Sequence, residues 1–139
     1  MTQAARVKGI HHITLVTRDM EGMIQFLTEV VGIRLVERGI NEDMPEQKHY
    51  FFGDEEGRPG TLVTFFEITG LDDNRLGAGG MHHLAIGVED EDDLRAQMKR
   101  LDEKGIGHSG VVDRTSWKAL YFRGPEELLI EFATQGPDS

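Results

Sequence analysis

Apolar positions along this chain fall into two rhythms, and the same order of rhythms occurs twice. Strict alternation in HHITLV (residues 11–16) predicts a strand with His12, Thr14 and Val16 on one face and His11, Ile13 and Leu15 on the other. Next, MEGMIQFLTEVV (residues 20–31) carries Met20, Met23, Ile24, Leu27 and Val31 at spacings of three and four, which predicts an amphipathic helix. Three short runs follow, IRLVERGI, KHYFFGD and GTLVTFFEIT, rich in β-branched or aromatic residues and bounded by Gly, Pro or Asp, as strands are. The second half repeats this with HHLAIG, a helical stripe of Leu94, Met98 and Leu101, and the runs SGVVDR, KALYFRG and LLIEFAT.

The halves are copies. Gly9, His11, His12 and Asp19 recur as Gly80, His82, His83 and Asp90 at a constant offset of 71 positions. Asp19 and Asp90 stand where a helix N-cap belongs, and Gly32 and Gly105 where each helix should stop. Each half therefore reads strand, helix, strand, strand, strand, an α+β pattern. The boundaries are about 8–69 for the first module, 70–80 for a polar, glycine-rich linker and 81–135 for the second. Neither module alone is large enough to cover both faces of its sheet, so the expectation is one domain spanning residues 1–139.

Composition narrows the function classes. A formal charge of −10, with acidic runs at 42–46, 54–56 and 89–93, repels phosphate backbones and anionic lipid, which argues against nucleic acid or a membrane surface as partner. The chain has no cysteine, so disulfides and thiolate metal sites are excluded. MTQAARVKGI has no apolar stretch of signal-peptide length, and no run reaches the ~18 apolar residues of a membrane span. A cytoplasmic location is the expectation.

The chemistry-bearing residues are the duplicated histidine pairs and one carboxylate. As repeat equivalents, His12 and His83 would converge if their strands lie near a pseudo-twofold, and small residues beside His83 leave room for a ligand. Glu131 interrupts the apolar run LLIEFAT, where a carboxylate buried without a partner costs several kcal/mol. A cation would satisfy it. Two imidazoles and one carboxylate form a facial triad that leaves metal positions open, the donor set of non-haem Fe(II) oxygen chemistry. Taken singly, each of these residues has a structural explanation; duplicated pairs together with an inward carboxylate favour a site.

On these residues the chain resembles the vicinal oxygen chelate superfamily, which includes glyoxalase I, extradiol dioxygenases, fosfomycin-resistance transferases and bleomycin-binding proteins. The resemblance implies two βαβββ modules in a cupped, mostly antiparallel sheet with helices outside, around a divalent metal held by His12, His83 and Glu131. It also implies a homodimer. GDEEGRPGTLVTFF and VVDRTSWKALYFRGPEELLIEFAT are similar to segments of the hydroquinone-type ring-cleaving dioxygenases. That narrower likeness implies Fe(II), with Mn(II), Ni(II) or Zn(II) as the other candidates, and a small aromatic substrate with O2. It places His11, Thr14, His82, Arg114 and Tyr121 at substrate-contacting or ligand-supporting positions. Those dioxygenases are about twice this length, and this chain looks like their first module joined to their last.

Two other chemistries bear on the same residues. A glyoxalase I-type isomerase needs a glutamate from each module. A gapless comparison sets Phe65 opposite Glu131, with Glu67 on the same strand face as the candidate fourth ligand. A non-catalytic, bleomycin-resistance-like binder would use the same cup without a ligand triad. Outside the repeat, His49 and His108 read as loop surface residues, Trp117 as a pocket-mouth or packing residue, and DEEGRPG as a turn.

Overall fold

A computed structural model describes residues 4–136. It divides into two compact units, the first ending at Leu71 and the second beginning at Asp72. The first contains β1 (His12–Thr17), α1 (Met20–Gln25) continued by a π-helical segment (Phe26–Val31), β2 (Arg34–Ile40), β3 (Lys48–Gly53) and β4 (Leu62–Glu67). The second contains β5 (Leu84–Gly87), α2 (Glu91–Glu103), β6 (Val112–Asp113), β7 (Lys118–Arg123), a 3₁₀ turn (Pro125–Glu127) and β8 (Leu129–Ala133). The expected order of elements is present in both.

Each unit is one four-stranded mixed sheet, ordered β1-β4-β3-β2 in the first and β5-β8-β7-β6 in the second. The leading strand runs parallel to the last, and the remaining pairs are antiparallel. This is the α+β class read from the pattern.

Helix ends follow the local chemistry. The Asp19 carboxylate accepts the Gly22 N–H at 3.1 Å, and Asp90 accepts the Asp93 N–H at 3.0 Å, so each satisfies a donor that the first helical turn leaves open. Gly32 takes φ 95° and Gly105 φ 70°, left-handed conformations that only glycine adopts cheaply. One departure lies inside the first helix. The stripe predicts a uniform α-helix over 20–31, but the last six residues are π-helical, and the wider turn buries Phe26 beside Leu27 and Val31.

Period-two alternation builds the cores. In the first unit Tyr50, Phe52, Val63 and Phe65 are buried together with Met20, Met23 and Leu27, and Phe52 meets Phe65 edge-to-face at 6.0 Å. In the second, Leu120, Phe122, Ile130 and Phe132 are buried with Leu94 and Leu101, and Phe122 stacks on Phe132 at 5.5 Å. Each buried aromatic or aliphatic side chain contributes about 1.5–3 kcal/mol. Because these residues claim the helix-facing side, their sequence neighbours project to the open side, and that is how Glu131, between Ile130 and Phe132, reaches it.

Candidate metal centre

Glu131 is 2% exposed, yet its carboxylate has two partners. Oε1 lies 2.7 Å from His83 Nε2, and Oε2 accepts the Trp117 indole N–H at 2.9 Å. Ladder register explains the convergence. Glu131 is opposite Ala85 on β5 and Tyr121 on β7, so the open face of this sheet gathers Ala85, Tyr121 and Glu131 side by side, with His83 just ahead of β5. The Tyr121 ring meets the His83 ring edge-on at 6.0 Å. Arg114 Nε donates to Tyr121 Oη at 3.2 Å, and its guanidinium lies 5.2 Å from the centre of the same ring.

The histidine pairs depart from strand alternation. Neighbours on a strand point to opposite faces, which would separate His82 from His83. Both, however, precede β5, and His11 precedes β1, so the ladder does not dictate their orientation. His82 Nδ1 lies 2.8 Å from His83 Nδ1, and His11 Nδ1 lies 2.9 Å from His12 Nδ1. The two ring pairs share a geometry, with centroids 5.1 Å apart and planes at 80° and 81°. In both repeats the second histidine thus has Nδ1 engaged and Nε2 turned elsewhere, the arrangement a metal-ligating imidazole needs.

In the first unit the corresponding position holds no carboxylate. Thr14, the repeat equivalent of Ala85, pairs with Thr64, so the residue matching Glu131 is Thr64 and the gapless assignment of Phe65 is one residue out of register. Thr64, fully buried, shares a 2.7 Å hydrogen bond with the Thr14 hydroxyl. Glu67 is on the other face of β4. There its carboxylate accepts the Met20 N–H at 2.8 Å, at the start of α1, and pairs with Lys48 at 3.8 Å. Its charge is thereby committed to the helix side of the sheet.

His49 is a residue the sequence reading placed wrongly. It sits inside β3, half-buried, with Nε2 3.0 Å from the Thr64 hydroxyl and its ring against Phe51 and Phe66 at 4.5 and 4.2 Å. His49, Thr64 and Thr14 form one hydrogen-bonded chain across the open face. Burial, and then the charge of neighbouring His12, hold the His49 pKa below its ordinary value against the opposing pull of Glu37. An open cavity of about 540 Å³ borders His49, Phe51, Phe66, Glu37 and Asn41. The signal that was available was the alternation of KHYFFG, which sets His49 and Phe51 on one face.

His108 binds Asp102 at 2.7 Å and accepts the Gly110 N–H, closing the loop after α2. The DEEGRPG segment is a turn as expected, with Asp54 accepting from the backbone and side chain of Arg58 and with Gly57 and Gly60 at positive φ.

The donors in the second unit suit a divalent cation, since an imidazole nitrogen and a buried carboxylate oxygen face one another and both are ligands of Fe(II), Mn(II), Ni(II) and Zn(II). Among the described residues no group of three or more His, Asp or Glu is assembled for a metal; His12 belongs to the first unit, and His83 with Glu131 to the second. Among the described residues no helix is long and apolar enough to cross a membrane.

Known proteins resemble this chain in sequence and in fold. The chain is 40% identical over 128 residues to a Bacillus subtilis protein named "Putative ring-cleaving dioxygenase MhqO", covering 92% of this chain and 40% of that protein. It is 32% identical over 128 residues to the chlorohydroquinone/hydroquinone 1,2-dioxygenase of Sphingobium indicum, covering 87% of this chain and 38% of the other. The crystal structure of a Bacillus subtilis protein named "putative dioxygenase" superposes with a TM-score of 0.83 at 29% identity, over 95% of this chain and 42% of that one. The chain thus spans about two fifths of the length of these relatives. Residues 9–132 match a single family, and the chain belongs to the Glyoxalase/Bleomycin resistance protein/Dioxygenase superfamily.

Proposed function

We propose that this chain forms a non-haem Fe(II) dioxygenase centre that opens the ring of a hydroquinone- or catechol-type phenol, with His12, His83 and Glu131 as the metal ligands. The observation that carries the reading is the His83 Nε2 to Glu131 Oε1 approach at 2.7 Å, with the carboxylate almost fully buried and Tyr121 and Arg114 beside it. His12 shares with His83 an engaged Nδ1, which supports it as the third donor. The resemblance implies a homodimer in which two copies of the chain each contribute ligands to a shared site.

Bound Fe(II) would supply the redox route by which triplet dioxygen meets a closed-shell phenol, a route closed to Zn(II). The side chains supply position and protons. Arg114 Nε–H occupies a lone pair of Tyr121 Oη, which leaves the phenolic hydrogen free to point toward a substrate oxygen on the open face. The guanidinium stabilises negative charge developing there. The Thr14 hydroxyl, tied through Thr64 to His49, provides a second fixed contact, and His11 and His82 hold the ligand rings by Nδ1.

The isomerase reading has less support, because Thr64 stands at the position matching Glu131 and the Glu67 carboxylate serves the N-terminus of α1. A binder without a metal has no use for a buried Glu131 facing an imidazole. Anaerobic reconstitution with Fe(II), followed by oxygen uptake with a panel of hydroquinones and catechols, tests the proposal. Oxygen consumption matched by ring-opened product is expected; turnover of methylglyoxal hemithioacetal on Ni(II) or Zn(II) without oxygen uptake would replace it with the isomerase.

A further inference from the structure

We propose that Trp117 is a positioning residue that commits Glu131 to ligation through a single oxygen. The inference rests on the reading of Glu131 as a metal ligand and adds a role for a side chain outside the ligand set. The Trp117 indole N–H donates to Glu131 Oε2 at 2.9 Å, while Oε1 is the oxygen that faces His83 Nε2 at 2.7 Å. An indole N–H is a donor only, so this contact specifically requires an acceptor oxygen at that place. The terminal torsion of a glutamate is broad and roughly two-fold, so without a partner on one oxygen the carboxylate would rotate and offer either or both. With Oε2 occupied, one lone-pair direction remains aimed at the ligand position, and coordination sites that a two-oxygen carboxylate would fill stay available for substrate.

Trp117 itself is held for this task. Its carbonyl accepts the Arg114 N–H at 2.8 Å, closing the turn before β7. The next residue is pinned on both sides, because Lys118 N–H donates to Thr134 Oγ1 and the Thr134 N–H to the Lys118 carbonyl, each at 3.0 Å. Thr134 lies three residues beyond Glu131, so the strand bearing the carboxylate and the turn bearing the indole are fixed to one another. Trp117 is 41% exposed, too open for burial of its ring to account for its placement, whereas the polar edge reaches a carboxylate that is 2% exposed.

The chain has one tryptophan, which makes the test direct. In the metal-free protein, the single indole N–H resonance should exchange slowly with solvent and move on E131Q substitution. A freely exchanging indole that ignores E131Q in a folded protein overturns the proposal. Mn(II) binding followed by electron paramagnetic resonance then separates the claims. W117F, which keeps an aromatic ring and loses the donor, should weaken Mn(II) affinity 10–100-fold with an unchanged Tm. Equal affinity of W117F and wild type, with binding abolished in E131A, overturns the role of Trp117 alone. Absence of Mn(II) binding by the wild type overturns the metal reading and this inference with it.

Discussion

His82 and His83 touch through their Nδ1 atoms at 2.8 Å, so only one of the two nitrogens can carry the shared hydrogen. A neutral imidazole that ligates through Nε2 must keep its hydrogen on Nδ1, and His82 is then the acceptor that holds it there. His82→Phe removes that acceptor while preserving a ring. The expected result is a 10–100-fold loss of Mn(II) affinity with the fold intact, measured by titration and by circular dichroism. His11→Phe should act in the same direction through His12, whose pair has the same geometry.

Tyr121 and Arg114 are expected to act on turnover and not on metal retention. Tyr121→Phe removes the hydroxyl that Arg114 orients, and kcat should fall about 100-fold or more while Mn(II) affinity stays within twofold of wild type. Steady-state oxygen uptake and metal titration on the same preparation check both halves. Equal kcat in the variant would return Tyr121 to a packing role.

Glu67 separates stability from chemistry. Glu67→Ala strips the carboxylate that accepts the Met20 N–H and should cost about 0.5–2 kcal/mol in urea unfolding, the range of a lost helix cap, without changing Mn(II) affinity. Loss of metal binding in this variant would instead make Glu67 a ligand and revive the isomerase reading.

His49 gives the first unit a pH signature. Burial first, and then the His12 charge, put its folded pKa below the unfolded value of 6.5. Above that value both states are neutral and the contribution to stability is complete. As pH falls below it, the unfolded chain takes up the proton first, so stability declines until the folded pKa is reached and then levels off. Urea unfolding between pH 7.5 and 5 should show this slope, and His49→Phe should flatten it. An unchanged slope would mean that another group titrates.

The parts legible in the sequence were those set by local rules. Asp19 and Asp90 as caps, Gly32 and Gly105 as stops, and the order of strands in each half follow from spacing and residue type, and all are in place. What escaped depends on contacts between distant segments. Trp117 is 14 positions from the carboxylate it holds, and His49 is 15 positions from Thr64, so no periodicity links either pair. The contact between His82 and His83 escaped for a different reason: alternation governs only residues inside a ladder, and both lie before theirs. Likewise, the one-residue offset between Phe65 and Thr64 is a property of strand register, which a gapless comparison of the halves does not encode.

The ligand assignment is tested most directly by crystals grown with Mn(II) and measured for anomalous scattering at the manganese edge. The account predicts one strong peak within bonding distance of His83 Nε2 and Glu131 Oε1, with a His12 Nε2, from the same chain or a second copy, as the third protein donor. A peak away from Glu131, or full occupancy with His12 uninvolved in any copy, would contradict it.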